Sequence, residues 1–200
     1  MKYILIGPGD IYSHIKRLIK HGKIKDENEY WQEVNLIVNK FKDHELILLP
    51  DRGLPFEIAK RAREKFGDHV KITYTIPQDD KNWGVAHLEK QIKELKPDKI
   101  INTGDWQGQH FMFGLFGEAI VYLGHTTGTM YELSNTYYIH KLTKKMKNIK
   151  EIDIKILHNE TEIQNVKKLV TYVHKPFLID DFPVELREII NEIGGEIKTI

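Results

Sequence analysis

Ile120-Val-Tyr-Leu-Gly-His-Thr-Thr-Gly-Thr-Met-Tyr-Glu-Leu-Ser134 is the stretch that decides how the chain folds. Ile120 to Leu123 is continuously apolar, the pattern of a parallel strand buried on both faces. Met130 to Leu142 has helical length and composition. Between them lie Gly124, His125, Thr126, Thr127, Gly128 and Thr129. Small residues in such a turn let the backbone approach a ligand closely, and the open N–H groups of the following helix carry partial positive charge. An anion seated there gains about 0.3 to 2 kcal/mol from the helix end, before any hydrogen bond from the threonine hydroxyls.

Working outward toward the start of the chain, the same grammar repeats. Lys99 to Asn102 is a short strand leading into a glycine-rich segment, Thr103 to Gly117, that opens Thr-Gly104-Asp105-Trp106. Val70 to Ile76 is a strand followed by a polar loop, Pro77 to Gly84, with one large aromatic, Trp83, and then a helix over about Val85 to Leu95. Glu45 to Leu49 is a strand closed by Pro50-Asp51-Arg52-Gly53, with a helix at Pro55 to Phe66 whose proline sits where a missing N–H costs least. Tyr3 to Ile6 ends in Gly7-Pro8-Gly9-Asp10, and Ile11 to His21 carries apolar residues at helical spacing. Tyr30, Trp31, Val34, Ile37, Val38 and Phe41 mark a further amphipathic helix. Toward the other end, Ile152 to Leu157 alternates like a strand, Thr161 to Val173 reads as a helix, Phe177 to Ile179 as a short strand, and Pro183 to Ile193 as a closing helix ended by Gly194-Gly195.

Alternating strands and helices predict a Rossmann-like α/β fold, a three-layer sandwich around a mostly parallel sheet, in a single domain over residues 1–200. In such sheets ligands sit outside the carboxyl ends of the strands, where strand order reverses. The turns at Gly7 to Asp10, Asp51 to Gly53, Gly104 to Trp106 and Gly124 to Thr129 are therefore expected at one edge.

Lys and Arg number 30 against 29 Asp and Glu, a formal net charge of +1, which gives no electrostatic footprint for nucleic acid. The absence of cysteine removes disulfides, thiolate nucleophiles and cysteine-ligated zinc together. No apolar run approaches the roughly 18 residues of a membrane span, and the expected location is the cytoplasm. No cofactor is implied.

Thr129-Met-Tyr-Glu132 has two readings. Thr-x-x-Glu ahead of a helix is a capping box, in which the two side chains satisfy each other's backbone N–H groups and nothing is bound. In the other reading Glu132 faces a ligand. Asp105, His110 and His125 raise a metal-phosphoesterase reading, without the Asp-x-His or Gly-Asn-His-Asp/Glu context such sites use, so no metal is expected. Trp106, at a strand end, is the aromatic best placed to stack on a base, and Phe113 and Phe116 are spaced to share a helical face.

The segment from Lys99 to Leu142 resembles the LOG-like Rossmann proteins, the "lysine decarboxylase-like" group that includes cytokinin-activating phosphoribohydrolases and molybdenum-cofactor carrier proteins. Their signature is Pro-Gly-Gly-x-Gly-Thr-x-x-Glu; Gly128, Thr129 and Glu132 match its second half, and Gly124, His125 and Thr126 stand where Pro-Gly-Gly would be. The resemblance implies a nucleotide-like ligand with its phosphate at Gly128 and Thr129 and its sugar toward Glu132, the one catalytic candidate. Gln107 to Glu118 is also apolar and aromatic beyond what one helix face in a small domain needs, and together with the resemblance this predicts a homodimer paired through that segment. The family's hydrolases use an Arg-Lys pair that Gln107 to Glu118 lacks. The expected function is thus a nucleotide-binding protein, with nucleoside monophosphate glycosidic hydrolysis as its possible chemistry. The alternatives are a non-catalytic nucleotide sensor or carrier, and a metal-dependent phosphoesterase.

Overall fold

The computed structural model describes residues 1–146, 170–173, 187, 188, 190, 191 and 195–199. Strands β1 (Lys2–Ile6), β2 (Glu45–Leu48), β3 (Lys71–Ile76), β4 (Lys99–Asn102), β5 (Ala119–Tyr122), β6 (Val170–Val173) and β7 (Glu196–Thr199) form one sheet. Its order is β4-β3-β2-β1-β5-β6-β7, and all pairings are parallel. The chain steps outward from β1 to β4 and then returns to the other side of β1, where Tyr3 pairs with Ala119 and Ile6 with Tyr122. That return places the topological switch between β1 and β5, so the turns after these two strands face each other across a crevice.

The helices are α1 (Ile11–Lys20), α2 (Glu27–Val38), α3 (Leu54–Phe66), α4 (Glu89–Glu94), α5 (Trp106–Met112) and α6 (Thr127–Met146). Helices α2 and α3 pack on each other, and α5 packs on α6. Right-handed crossovers put the outward-stepping helices on one face of the sheet and those of the return on the other. The central strands are apolar on both faces: Ile4, Ile6, Leu46, Leu48, Ile72, Tyr74, Ile120 and Val121 are all buried.

Several sequence expectations change. The last part of the helix expected over Thr161 to Val173 is β6, because its β-branched run Val170-Thr-Tyr-Val173 completes the sheet beside β5. Strand β7 was not anticipated. The helix expected from Val85 begins as a 3-10 turn, Ala86–Leu88, before α4. Ile152 to Leu157 and Phe177 to Ile179 lie outside the described residues; of Pro183 to Ile193, residues 187, 188, 190 and 191 are helical. The glycine-rich Thr103 to Gly117 holds α5 and a 3-10 turn, Phe113–Leu115. Its last two glycines are packing glycines: a Cβ on Gly114 would lie 2.1 Å from the Thr136 hydroxyl of α6, and one on Gly117 2.4 Å from Ile4 Cγ1. Its apolar side chains Met112, Phe113 and Phe116 go inward, while Trp106 is half-buried and Phe111 is left at the surface. The apolar excess from which pairing of two chains is expected is therefore largely absorbed by this chain's own core.

One buried polar contact ties α1 to α2. His14 is 2% exposed, and its Nδ1 lies 3.2 Å from the Tyr30 hydroxyl. Burial pushes the imidazole down to about 4, with the charges of Arg17 and His125 adding to the effect. The folded-state value lies below the ordinary 6.5, so the unfolded chain takes up the proton first, and stability falls as pH drops from about 6.5 toward 4. Between pH 7 and pH 5 the expected loss is on the order of 2 kcal/mol, read as a falling urea midpoint. His14→Gln is expected to flatten that fall, and an unchanged slope would assign the acid sensitivity to other groups.

Candidate functional site

At the carboxyl edge of the sheet, over the switch between β1 and β5, is a cleft of about 240 Å³. Its walls come from successive strand ends: Gly7 and Gly9 after β1, Asp51 and Arg52 after β2, Trp106 and His110 on α5, and Thr126, Gly128, Thr129 and Glu132 at the start of α6. Leu5, Leu49, Pro55 and Phe113 close it from below. Of the remaining candidates, Pro8, Gly53, Gly124, His125 and Thr127 are next to the cleft in sequence and are used differently, and Gly104 and Asp105 line a neighbouring cleft.

The first two turns are locked together. Gly53 has φ +143°, and a Cβ there would fall 2.6 Å from the Pro8 carbonyl and 2.7 Å from Gly9 Cα. Pro8 in turn accepts a hydrogen bond from the Leu54 N–H at 3.0 Å. Gly53 is thus required by close approach of one turn to the other. Asp10 caps α1 by accepting from the Ser13 N–H at 3.0 Å and the Ser13 hydroxyl at 2.6 Å, which holds its carboxyl below the usual carboxylate range. The Asp51 carboxylate accepts from the Arg52 N–H at 2.6 Å, and the Arg52 side chain remains exposed at the cleft.

The turn after β5 corrects the sequence reading in one respect that matters for chemistry. The helix α6 starts at Thr127, so Thr126 is its N-cap and Thr129 its third residue. The Thr126 hydroxyl accepts from the Thr129 N–H at 3.1 Å, and the Thr129 hydroxyl accepts from the Thr126 N–H at 2.7 Å. That is a reciprocal capping box made of two threonines. Thr129, 2% exposed, also donates its hydroxyl to the Gly124 carbonyl at 2.7 Å. Two of the three threonine hydroxyls expected to meet an anion therefore hold the turn. What the turn leaves open instead is backbone: the N–H groups of Thr127 and Gly128 have no acceptor among the described residues, and Gly128 lines the cleft.

Glu132 lies in the second turn of α6, outside the capping box, and is free of the role the Thr-x-x-Glu pattern gave it. Its carboxylate lines the cleft with a side chain 17% exposed, and its Oε1 is 3.7 Å from His110 Nδ1, longer than a hydrogen bond. His110 Nδ1 is buried and has no hydrogen-bond partner among the described residues. Helix α5, which carries His110 and Trp106, is fixed by the buried Gln109: its Nε2 donates to the Thr75 hydroxyl, and its Oε1 accepts from the Thr103 hydroxyl, each at 2.7 Å. His125 is drawn away from the cleft by the Tyr122 hydroxyl, 3.0 Å from its Nδ1, while its carbonyl accepts from Arg17 of α1 at 2.7 Å. Burial pushes the Tyr122 hydroxyl up to about 12, so it stays neutral.

Asp105 is consumed as the N-cap of α5, accepting from the Gly108 N–H at 2.7 Å. No group of three His, Asp or Glu side chains able to hold a metal ion exists among the described residues. Nor, among them, is any helix long and apolar enough to cross a membrane. Sequence reasoning missed His110 as a cleft wall and Gln109 as its support; neither carries a motif, since both depend on where α5 lands against β3.

The threonine box makes a stability prediction. Thr126→Ala removes the cap and is expected to cost about 0.5 to 2 kcal/mol. Glu132→Ala is expected to change stability by less than about 0.5 kcal/mol. Urea unfolding of the two variants checks this; equal losses would return Glu132 to a capping role, which an alanine cannot fill.

No family model matches the chain, and no curated protein matches it. In structure it is similar to the molybdenum cofactor binding protein of the phototrophic bacterium Rippkaea orientalis, with a TM-score of 0.49 at 12% identity over 98% of this chain and 86% of that one. It is also similar to the solved structure of TM1055, with a TM-score of 0.47 at 15% identity over 99% of this chain and 91% of that one.

Proposed function

We propose that this protein binds a nucleotide or a similar phosphorylated small molecule in the cleft over the β1–β5 switch, its anion at the N-terminus of α6. The observation that carries the reading is the pair of open N–H groups at Thr127 and Gly128, with Gly128 on the wall of a cleft that also presents Arg52. Helix-end N–H groups and an arginine both favour a phosphate or carboxylate.

Glu132 narrows the ligand further. It sits four residues beyond Gly128, roughly 6 Å along the helix. A phosphate charge at that distance from a carboxylate is disfavoured by about 3 kcal/mol at an effective dielectric of about 20. That exceeds the roughly 0.3 to 2 kcal/mol offered by the helix end. A bare anion is thus a poor occupant. A phosphate joined to a group rich in hydroxyl donors suits the cleft better, because the donors satisfy Glu132 and turn a repulsion into hydrogen bonds. A sugar phosphate portion of a nucleotide has that chemistry. A binding or carrier role needs nothing more; glycosidic hydrolysis would require Glu132 to act on the sugar, with His110 Nδ1 3.7 Å from its carboxylate.

Nucleoside 5′-monophosphates are expected to raise the melting temperature more than the matching nucleosides, with about 2.7 kcal/mol of stabilisation at a ligand concentration 100 times Kd. Glu132→Gln is expected to weaken nucleotide binding about ten- to hundredfold, the worth of a hydrogen bond to a charged group, while inorganic phosphate binds equally or more tightly. Calorimetry on both ligands decides. Failure of every nucleotide at millimolar concentration to shift the melting curve would remove the reading.

A further inference from the structure

A second, more open cleft of about 790 Å³ adjoins the first and shares Trp106 and His110 with it. Its distinguishing feature is exposed aromatic surface: Trp83 is 76% exposed, Tyr131 57% and Phe111 38%. Aromatic surface of this extent, gathered in one concave place, ordinarily marks a binding site.

The loop that displays Trp83 is held, not loose. One oxygen of the Asp80 carboxylate accepts from the backbone N–H groups of Asn82 at 2.9 Å, Trp83 at 2.6 Å and Gly84 at 3.1 Å. The other accepts from the Trp106 N–H at 3.2 Å. Trp106 Nε1 returns a hydrogen bond to the Gly84 carbonyl at 3.3 Å. A single carboxylate thus fixes the Trp83 loop to the first residue of α5. Trp106, the aromatic that the sequence offers for stacking, already has a stacked neighbour in the His87 ring, 5.8 Å away and 10° from parallel. Trp83 has the open face.

Resting on the anion reading above, we infer that this cleft holds the planar heterocyclic ring of the same ligand, with Trp83 as its stacking platform. Three observations argue for that occupant. The anion cleft, at about 240 Å³, falls below the roughly 300 to 1,000 Å³ of sites that enclose a whole ligand. The two clefts lie side by side and share Trp106 and His110 in their walls, so the aromatic side is the neighbouring space for a ligand anchored at Gly128. The Asp80 hydrogen bonds set the Trp83 backbone in advance, so stacking needs little ordering of the loop.

The test compares adenosine 5′-monophosphate, guanosine 5′-monophosphate, ribose 5-phosphate and adenosine by calorimetry, on the unaltered protein, Trp83→Ala and Trp83→Phe, with light scattering on the same samples. The unaltered protein is expected to bind both nucleotides more tightly than ribose 5-phosphate. Trp83→Ala is expected to reduce nucleotide affinity about five- to hundredfold and leave ribose 5-phosphate unchanged. Trp83→Phe, which keeps a ring, should retain most of the affinity. Equal nucleotide affinity in the unaltered protein and Trp83→Ala would overturn the inference while leaving the anion reading intact. Binding of adenosine that depends on Trp83, with phosphate adding nothing, would overturn the anion reading and keep the ring site. Failure of all four ligands to bind removes both. A dimer that Trp83→Ala dissociates, with no effect on ligand affinity, would give the aromatic surface to a second copy of the chain and overturn the inference.

Discussion

The hydroxyl of Thr129 is the contact on which the site depends. Almost fully buried, it donates to the Gly124 carbonyl and accepts from the Thr126 N–H, and the Thr126 hydroxyl returns the favour at the Thr129 N–H. This one exchange sets where α6 begins. Starting the helix at Thr127 satisfies one donor at its N-terminus through a side chain and leaves the Thr127 and Gly128 N–H groups open, Gly128 on the cleft wall. It also moves Glu132 one turn past the cap. Had the helix begun three residues later, with Thr129 as cap, Glu132 would have been its partner and its carboxylate would have turned to the backbone.

The rest of the site is built to hold that turn against its neighbours. Arg17 reaches from α1 to the His125 carbonyl, Tyr122 holds His125 by its ring, and Gly7 leaves room for Leu123, whose Cβ would lie 3.0 Å from a Cβ at that glycine. On the far wall Gly53 presses against Pro8 and Gly9. The glycines after β1 and β2 therefore serve the packing of turn on turn. This is the usual price of bringing several loops to one crevice: the loops must fit each other before they can fit anything else.

The fold was legible because its signals are local and repeated. Lys99 to Asn102 came out with its observed limits, and Glu45 to Leu49 and Tyr3 to Ile6 within a residue, since short apolar runs bounded by glycine or proline turns mark buried parallel strands well. The convergence of the strand ends followed from topology alone. The register of the α6 cap did not, because threonines at positions 126, 127 and 129 all satisfy a capping pattern. Only the tertiary bond from Thr129 to the Gly124 carbonyl selects among them. Val170 to Val173 was misread for a related reason: a short apolar run fits a helix or a buried strand, and the sheet edge beside β5 decides.

The role of Asp80 shows the same limit from the other side. In sequence it is one of two adjacent aspartates in a polar loop, with nothing to separate it from Asp79. In the fold it accepts from backbone N–H groups on both sides of a gap of more than twenty residues, and those bonds hold its carboxyl below the usual carboxylate range. Glu132 has no such set of backbone donors among the described residues, and the nearby His110 stands beyond hydrogen-bond reach. A carboxylate surrounded by N–H groups is a structural pin. One that lines a cleft beside open helix-end N–H groups has its hydrogen-bonding capacity directed at whatever enters. The two acids thus differ in kind: Asp80 fixes the aromatic wall in place through backbone donors, and Glu132 stands as the carboxylate of the cleft wall.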